Sequence, residues 1–142
     1  VINEIMAAND RTVADPEGNF EDWIELFNRG DRAVNLSGFS LSDSRNSLDK
    51  WSFPKDTVIP ARGFLVIWAD KKNRSTRGLH ANFRLSRNGE TVFFSKGSTI
   101  FDQVEFGRQA SETALGQSPD GQGNWRAMQP SPGKANRRPE SK

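Results

Sequence analysis

The chain has 142 residues, 34% of them hydrophobic, and 20 Lys and Arg against 18 Asp and Glu give a net charge of +2. With no Cys, no Tyr and one His, it excludes disulfide scaffolds, zinc ribbons, iron–sulfur ligation, thiol nucleophiles and multi-histidine metal centres. No apolar run approaches the roughly 18 residues of a membrane span, and no signal-peptide pattern stands within it. The length fits one domain, and the core mass is aromatic, with 10 Phe and 4 Trp.

In chain order the pattern predicts strands. Val1–Met6 reads as a first strand, ended by a polar stretch in which Asp15-Pro16-Glu17-Gly18 marks a turn. Phe20–Asn28 follows, with Ile24 and Leu26 on one face and Trp23, Glu25 and Phe27 on the other. Short alternating runs at 33–36 and 39–42 flank Gly38, and runs at 50–53 and 57–59 end at Pro54 and Pro60. Gly63–Ala69 is the most apolar run and is expected to be a central strand, buried on both faces. Arg87-Asn88-Gly89-Glu90 before Thr91–Ser95 reads as a type I′ hairpin turn, and Lys96-Gly97 as a second turn into Thr99–Phe106. Together these imply a three-stranded meander at 83–106. Beyond Phe106 the apolar density falls, and 137–142 reads as linker.

Nine or so short strands without a helix imply an all-β sandwich or barrel, with the domain at 1–136. The Cys–Trp–Cys pin and tyrosine corner of immunoglobulin domains are absent, so aromatic packing is expected to hold the sheets together. The start at Val1 and the polar end lead us to expect one domain of a longer protein.

In this order the segments resemble the lamin tail domain family, an Ig-like sandwich, in its bacterial branch. The resemblance rests on Ile2-Asn3-Glu4-Ile5, Asp22-Trp23-Ile24-Glu25-Leu26 with Asn28, and Val34 through Asp43. It continues through Trp51-Ser52-Phe53-Pro54, Ile59-Pro60, Gly63–Trp68, Leu79–Phe83 with Leu85, and Gly89-Glu90. Pro119-Asp120-Gly121, Trp125 and Pro132–Asn136 complete it, so that it covers residues 1–136. Gln117 departs from the arginine expected after Gly116, which weakens the expectation of a salt bridge to the C-terminal loop. The resemblance implies a non-catalytic module, often joined to nuclease-type or other extracellular enzyme domains, and an exported or cell-surface setting.

The candidate sites are few. Glu4, Asp22 and Glu25 are the carboxylates that catalysis by paired acids would need. Asp22 and Glu25 fall on opposite faces of one strand, and Glu4 meets Glu25 only if the first two strands pair in register. The alternative is that they hold loop backbone by hydrogen bonds. His80 has no nucleophile elbow around any serine to serve. Asp10, Asp15, Glu17, Asn19 and Asp22 crowd one loop with oxygen ligands for calcium, but the EF-hand glycine and twelfth-position glutamate are missing. No cofactor is implied.

Charge is polarised. Residues 1–25 hold seven acids against Arg11, whereas residues 71–87 hold six bases and no acid. Lys71, Lys72, Arg74, Arg77, Arg84 and Arg87 therefore form a candidate site for an anionic partner, nucleic acid or another polyanion. Arg29-Gly30-Asp31 is read as turn chemistry rather than an adhesion motif. The leading expectation is a non-enzymatic interaction or scaffolding module whose partner is another protein or a neighbouring domain. Polyanion binding is the first alternative, and a carbohydrate-binding module presenting a row of exposed rings is the second.

Overall fold

A computed structural model describes residues 1–71, 78–118, 120–121 and 125–136. Among them there is no helix, and twelve strands follow one another along the chain. They are β1 (Ile2–Met6), β2 (Asp22–Phe27), β3 (Val34–Asn35), β4 (Phe39–Ser42), β5 (Trp51–Ser52) and β6 (Val58–Ile59). Then come β7 (Phe64–Ala69), β8 (Leu79–Ala81), β9 (Glu90–Lys96), β10 (Thr99–Phe106), β11 (Ala114–Gln117) and β12 (Trp125–Met128). A six-stranded sheet runs β12-β11-β1-β2-β7-β8, a four-stranded sheet runs β10-β9-β4-β5, and β3 pairs with β6 alone. All pairs are antiparallel except β7 with β8.

Period-2 alternation places the core. Ile2 and Ile5 of β1, Ile24 and Leu26 of β2 and Ile67 of β7 face inward from the larger sheet. Leu41, Trp51, Val92, Phe94, Val104 and Phe106 meet them from the smaller one. Most of the ring contacts fall on the second side: Phe94 stacks on Phe39 at 5.0 Å and meets Phe53 edge-on at 6.2 Å, and Trp51 packs on Phe53 at 4.8 Å. The strands β1, β2 and β7 contribute mainly aliphatic side chains to the core, and Phe83 and Trp125 add rings at its margin. Trp23 and Trp68 take no part in joining the sheets: they oppose each other on the outer face of the large sheet, in a second cluster with Met6, Ala114 and Met128. That cluster, and the loops over it, bury β1 on both faces, so every residue of β1 is buried.

Four expectations are corrected. Residues 83–106 form no three-stranded meander: β9 and β10 make a hairpin, but the third strand beside β9 is β4, and β8 joins β7 in the opposite sheet. The turn at Arg87-Asn88-Gly89 therefore carries the chain between sheets. It closes with Gly89 N–H donating to Ser86 O, and only Gly89 in it takes a positive φ, of 111°, which is not the type I′ pattern. β7 lies next to the sheet edge, with β8 outside it, and only its Ile67–Ala69 half is fully buried. The weakly apolar region beyond Phe106 supplies two further strands, and β11 pairs directly with β1. Residues 137–142, read as linker, lie outside the described residues.

Gly89 shows how closely the chain entering β9 runs beside the end of its partner β10. A Cβ there would overlap Phe106 O and come within 2.8 Å of Gly107 Cα, both main-chain atoms that cannot rotate away. Gly97 also has positive φ, 59°, but has open space around it. Gly97→Ala should cost about 1–2 kcal/mol, the left-handed strain alone. Gly89→Ala should cost distinctly more or prevent folding. Urea midpoints of the two variants, compared with the parent, check the order.

Candidate functional site

The carboxylates come first because the fold does bring two of them together. β1 and β2 pair with Glu4 directly opposite Glu25, on the outer face of the large sheet. Such partners stand with Cβ atoms about 5 Å apart, and both side chains are fully buried. What covers them is the C-terminal segment. Glu4 accepts a hydrogen bond from Ser131 N (2.8 Å) and has Ser131 Oγ at 3.0 Å, and Glu25 accepts from Gly133 N (2.7 Å) and Asn3 Nδ2 (3.2 Å). Asp120 accepts from Asn3 Nδ2 and Asn136 N, both at 2.9 Å. Asn136 Nδ2 closes the ring by donating to the main-chain oxygens of Asn3 and Gln117.

Burial, more than any other cause, pushes the Glu4 carboxyl up to about 7 and that of Glu25 to about 8, where the neighbouring Glu4 adds to the effect. Proton counting agrees. The Ser131 hydroxyl has one hydrogen yet lies 3.0 Å from Glu4 Oε1 and 2.8 Å from Asn136 Oδ1. Asn136 cannot be turned round, since its amide nitrogen already serves two carbonyls. A protonated Glu4 resolves the conflict by donating to Ser131 Oγ, which then donates to Asn136. Among the described residues no ion pair reaches Glu4, Glu25 or Asp120. Gln117, where an arginine was expected, donates to Ile2 O at 2.7 Å. The pair therefore fastens a loop, with no room for a substrate between the acids.

Asp22, on the other side of the same strand, accepts from Leu85 N at 3.1 Å, and burial raises its carboxyl to about 7. Two nearby cations, Arg84 and Arg87, pull against that rise. Arg87 also reaches Asp10, with Nη2 3.1 Å and 3.2 Å from its two oxygens. The acidic and basic poles, some sixty residues apart in sequence, thus meet in the fold. Of the six candidate anion-binding residues, Arg84, Arg87 and Lys71 are exposed, and Lys72, Arg74 and Arg77 lie outside the described residues.

The five candidate calcium ligands are dispersed. Asp10 is engaged with Arg87, Asp22 with Leu85 N, and Glu17 and Asn19 are exposed. Asp15 alone turns inward, and the structure places it beside Asp70 and His80, two residues that no spacing rule connects to it. His80 Nδ1 lies 2.5 Å from Asp70 Oδ2. The indoles form no exposed row: Trp23, Trp51 and Trp68 are buried and Trp125 is half-buried against the core.

The family model of the Lamin Tail Domain matches residues 1–108. The chain belongs to the lamin tail domain family. No curated protein and no solved structure matches it. The lamin tail domain is a non-enzymatic Ig-like domain, and the matched region spans both sheets as far as β10. β11, β12 and the segment that covers Glu4 and Glu25 follow the matched region.

These buried acids give the domain a pH dependence of definite sign. In the unfolded chain Glu4 and Glu25 lose their protons near pH 4.5, whereas the folded protein keeps them up to about 7 and 8. Stability is therefore full below about pH 4.5 and falls as pH rises through 7 to 8. We expect unfolding free energy to be about 1–3 kcal/mol greater at pH 5.5 than at pH 8.5. Glu4→Gln, which copies the neutral acid, should preserve stability at pH 5.5 and reduce that slope. Urea titrations at the two pH values measure both effects.

Proposed function

We propose that this lamin tail domain is a non-catalytic interaction module of a larger exported or cell-surface bacterial protein. Its partner is another protein or a neighbouring domain of the same chain. The observation that carries this reading is the use made of the interior ionisable groups. Glu4 and Glu25 hold the C-terminal segment, Asp22 holds Leu85 N and His80 faces Asp70, so none is presented to a substrate.

The surface offers an apolar patch to bind with instead. The β-bulge between Ile100 and Asp102 turns Phe101 outward, 57% exposed, against Phe39 at 5.2 Å. Val1, Val34, Phe39, Phe94 and Phe101 line one groove at this end of the sandwich. Rings and branched aliphatics at an exposed groove favour a protein surface over a polyanion. The engagement of Arg87 by Asp10 also weakens the basic face as a phosphate site.

The purified chain should show no enzyme-like hydrolysis of nucleic acid, phosphoesters or glycans, and such activity would overturn the reading. Binding to duplex DNA and heparin should be weak at physiological salt. Tight binding that falls with salt and vanishes on neutralising Lys71, Lys72, Arg74 and Arg77 would replace it with the polyanion alternative.

A further inference from the structure

One cluster belongs neither to the carboxylate clasp nor to the surface just described. Asp15 sits in the loop between β1 and β2, Asp70 follows β7 directly, and His80 is the middle residue of β8. β7 and β8 run parallel with Trp68 opposite His80, and the loop packs over them, Pro16 lying against the Gly78 backbone. A carboxylate oxygen of Asp15, one of Asp70 and a ring nitrogen of His80 all lie within 4.8 Å of one another. The three residues are 5%, 1% and 0% exposed.

Asp15 is the informative member. Its Oδ1 is occupied inside its own turn, accepting from Glu17 N and Asn19 N, both at 2.9 Å. Its Oδ2 is buried and has no hydrogen-bond partner among the described residues. A buried carboxylate oxygen left unpaired is costly. One ligand answers that difficulty: a divalent cation takes the Asp15 Oδ2 lone pairs, with an Asp70 oxygen and a His80 ring nitrogen close enough to join it.

We propose that Asp15, Asp70 and His80 form a binding site for a first-row divalent cation of the Zn2+ type. The donor set selects the class. Calcium takes six to eight oxygens, more than this closed site supplies, and an imidazole with carboxylates and no sulfur suits Zn2+ and its neighbours. Zn2+ binds such donors at about 2.0–2.2 Å and holds them a little over 3 Å apart, so the three residues would draw together from their present spacing of up to 4.8 Å. Burial closes the site to substrate. The role of the metal is to tie the β1–β2 loop to the exposed edge of the large sheet, and this is a structural function consistent with the non-catalytic reading, though it does not depend on it.

His80 is the only histidine, so its imidazole signals in a proton NMR spectrum report on the site without assignment ambiguity. The tag-free chain, stripped with a chelator, is titrated with ZnCl2. We expect binding of one equivalent, a shift of the His80 ring signals that saturates at that equivalent, and a raised melting temperature. Asp15→Asn, which keeps the turn acceptor, should weaken affinity by more than about 100-fold, whereas Asp10→Asn should not change it. His80 signals unmoved by excess Zn2+, or undiminished binding by Asp15→Asn, would overturn the site. CaCl2 producing the same shift at the same concentration would overturn the assignment of the cation. Should Asp15→Asn fail to fold, the titration of the parent chain decides alone.

Discussion

The outer face of the six-stranded sheet is the constraint on which the rest depends. β1 lies between β2 and β11, and its inward side chains, Ile2 and Ile5, fill the space between the sheets. An Ig-like sheet would ordinarily leave its other face to solvent. Here that face is covered, at one end by the Met6, Trp23 and Trp68 cluster and at the other by the segment from Ser131 to Asn136. Once covered, any polar group on it must find its partner within the protein or destabilise the fold.

Glu4 and Glu25 are the clearest consequence. Placed opposite each other in a dry environment, two carboxylates cannot both stay ionised cheaply. They are accommodated by holding protons and by taking main-chain amides from a loop, which uses the acids as fasteners. Asn3 and Asn136 extend the same arrangement, each giving and receiving bonds between strands and tail. The clasp is thus the means by which 131–136 covers the sheet, and the cover is in turn the reason the acids remain protonated.

Much of the fold was legible because it rests on local pattern. Ile24 and Leu26 alternate with Trp23 and Glu25, and the faces assigned to them by period 2 are the faces they occupy. Strand order was not legible in the same way. Asn88-Gly89 promises a hairpin, but whether a turn joins neighbours or crosses between sheets depends on distant partners, here β7 for β8 and β4 for β9. β11 was missed since Ala114-Leu115-Gly116-Gln117 has little apolar weight, and Gly116 is required for a different reason: a Cβ there would come within 2.8 Å of both Asn136 and Met128. The pairing of Glu4 with Glu25 could be stated from the sequence only as a condition on register, which the bulge between Ile2 and Glu4 helps to set.

The charges make the same distinction between pattern and contact. Read linearly, the acidic first quarter and the basic segment at 71–87 are two separate poles, each inviting a partner. Folding brings them together, because β1 and β2 carry Asp10 and Asp22 to the side of the domain where Arg84 and Arg87 leave the edge of the large sheet. Arg87 then serves Asp10 and Leu85 N serves Asp22, so part of the polarity is internal bonding rather than advertisement. Asp15 belongs to the same acidic stretch but escapes that pairing by turning inward, and it keeps a buried oxygen without a hydrogen-bond partner among the described residues. Charge clustering along a sequence therefore locates where ionisable groups are concentrated. Only the contacts separate those that neutralise one another from the one that still lacks a counterpart.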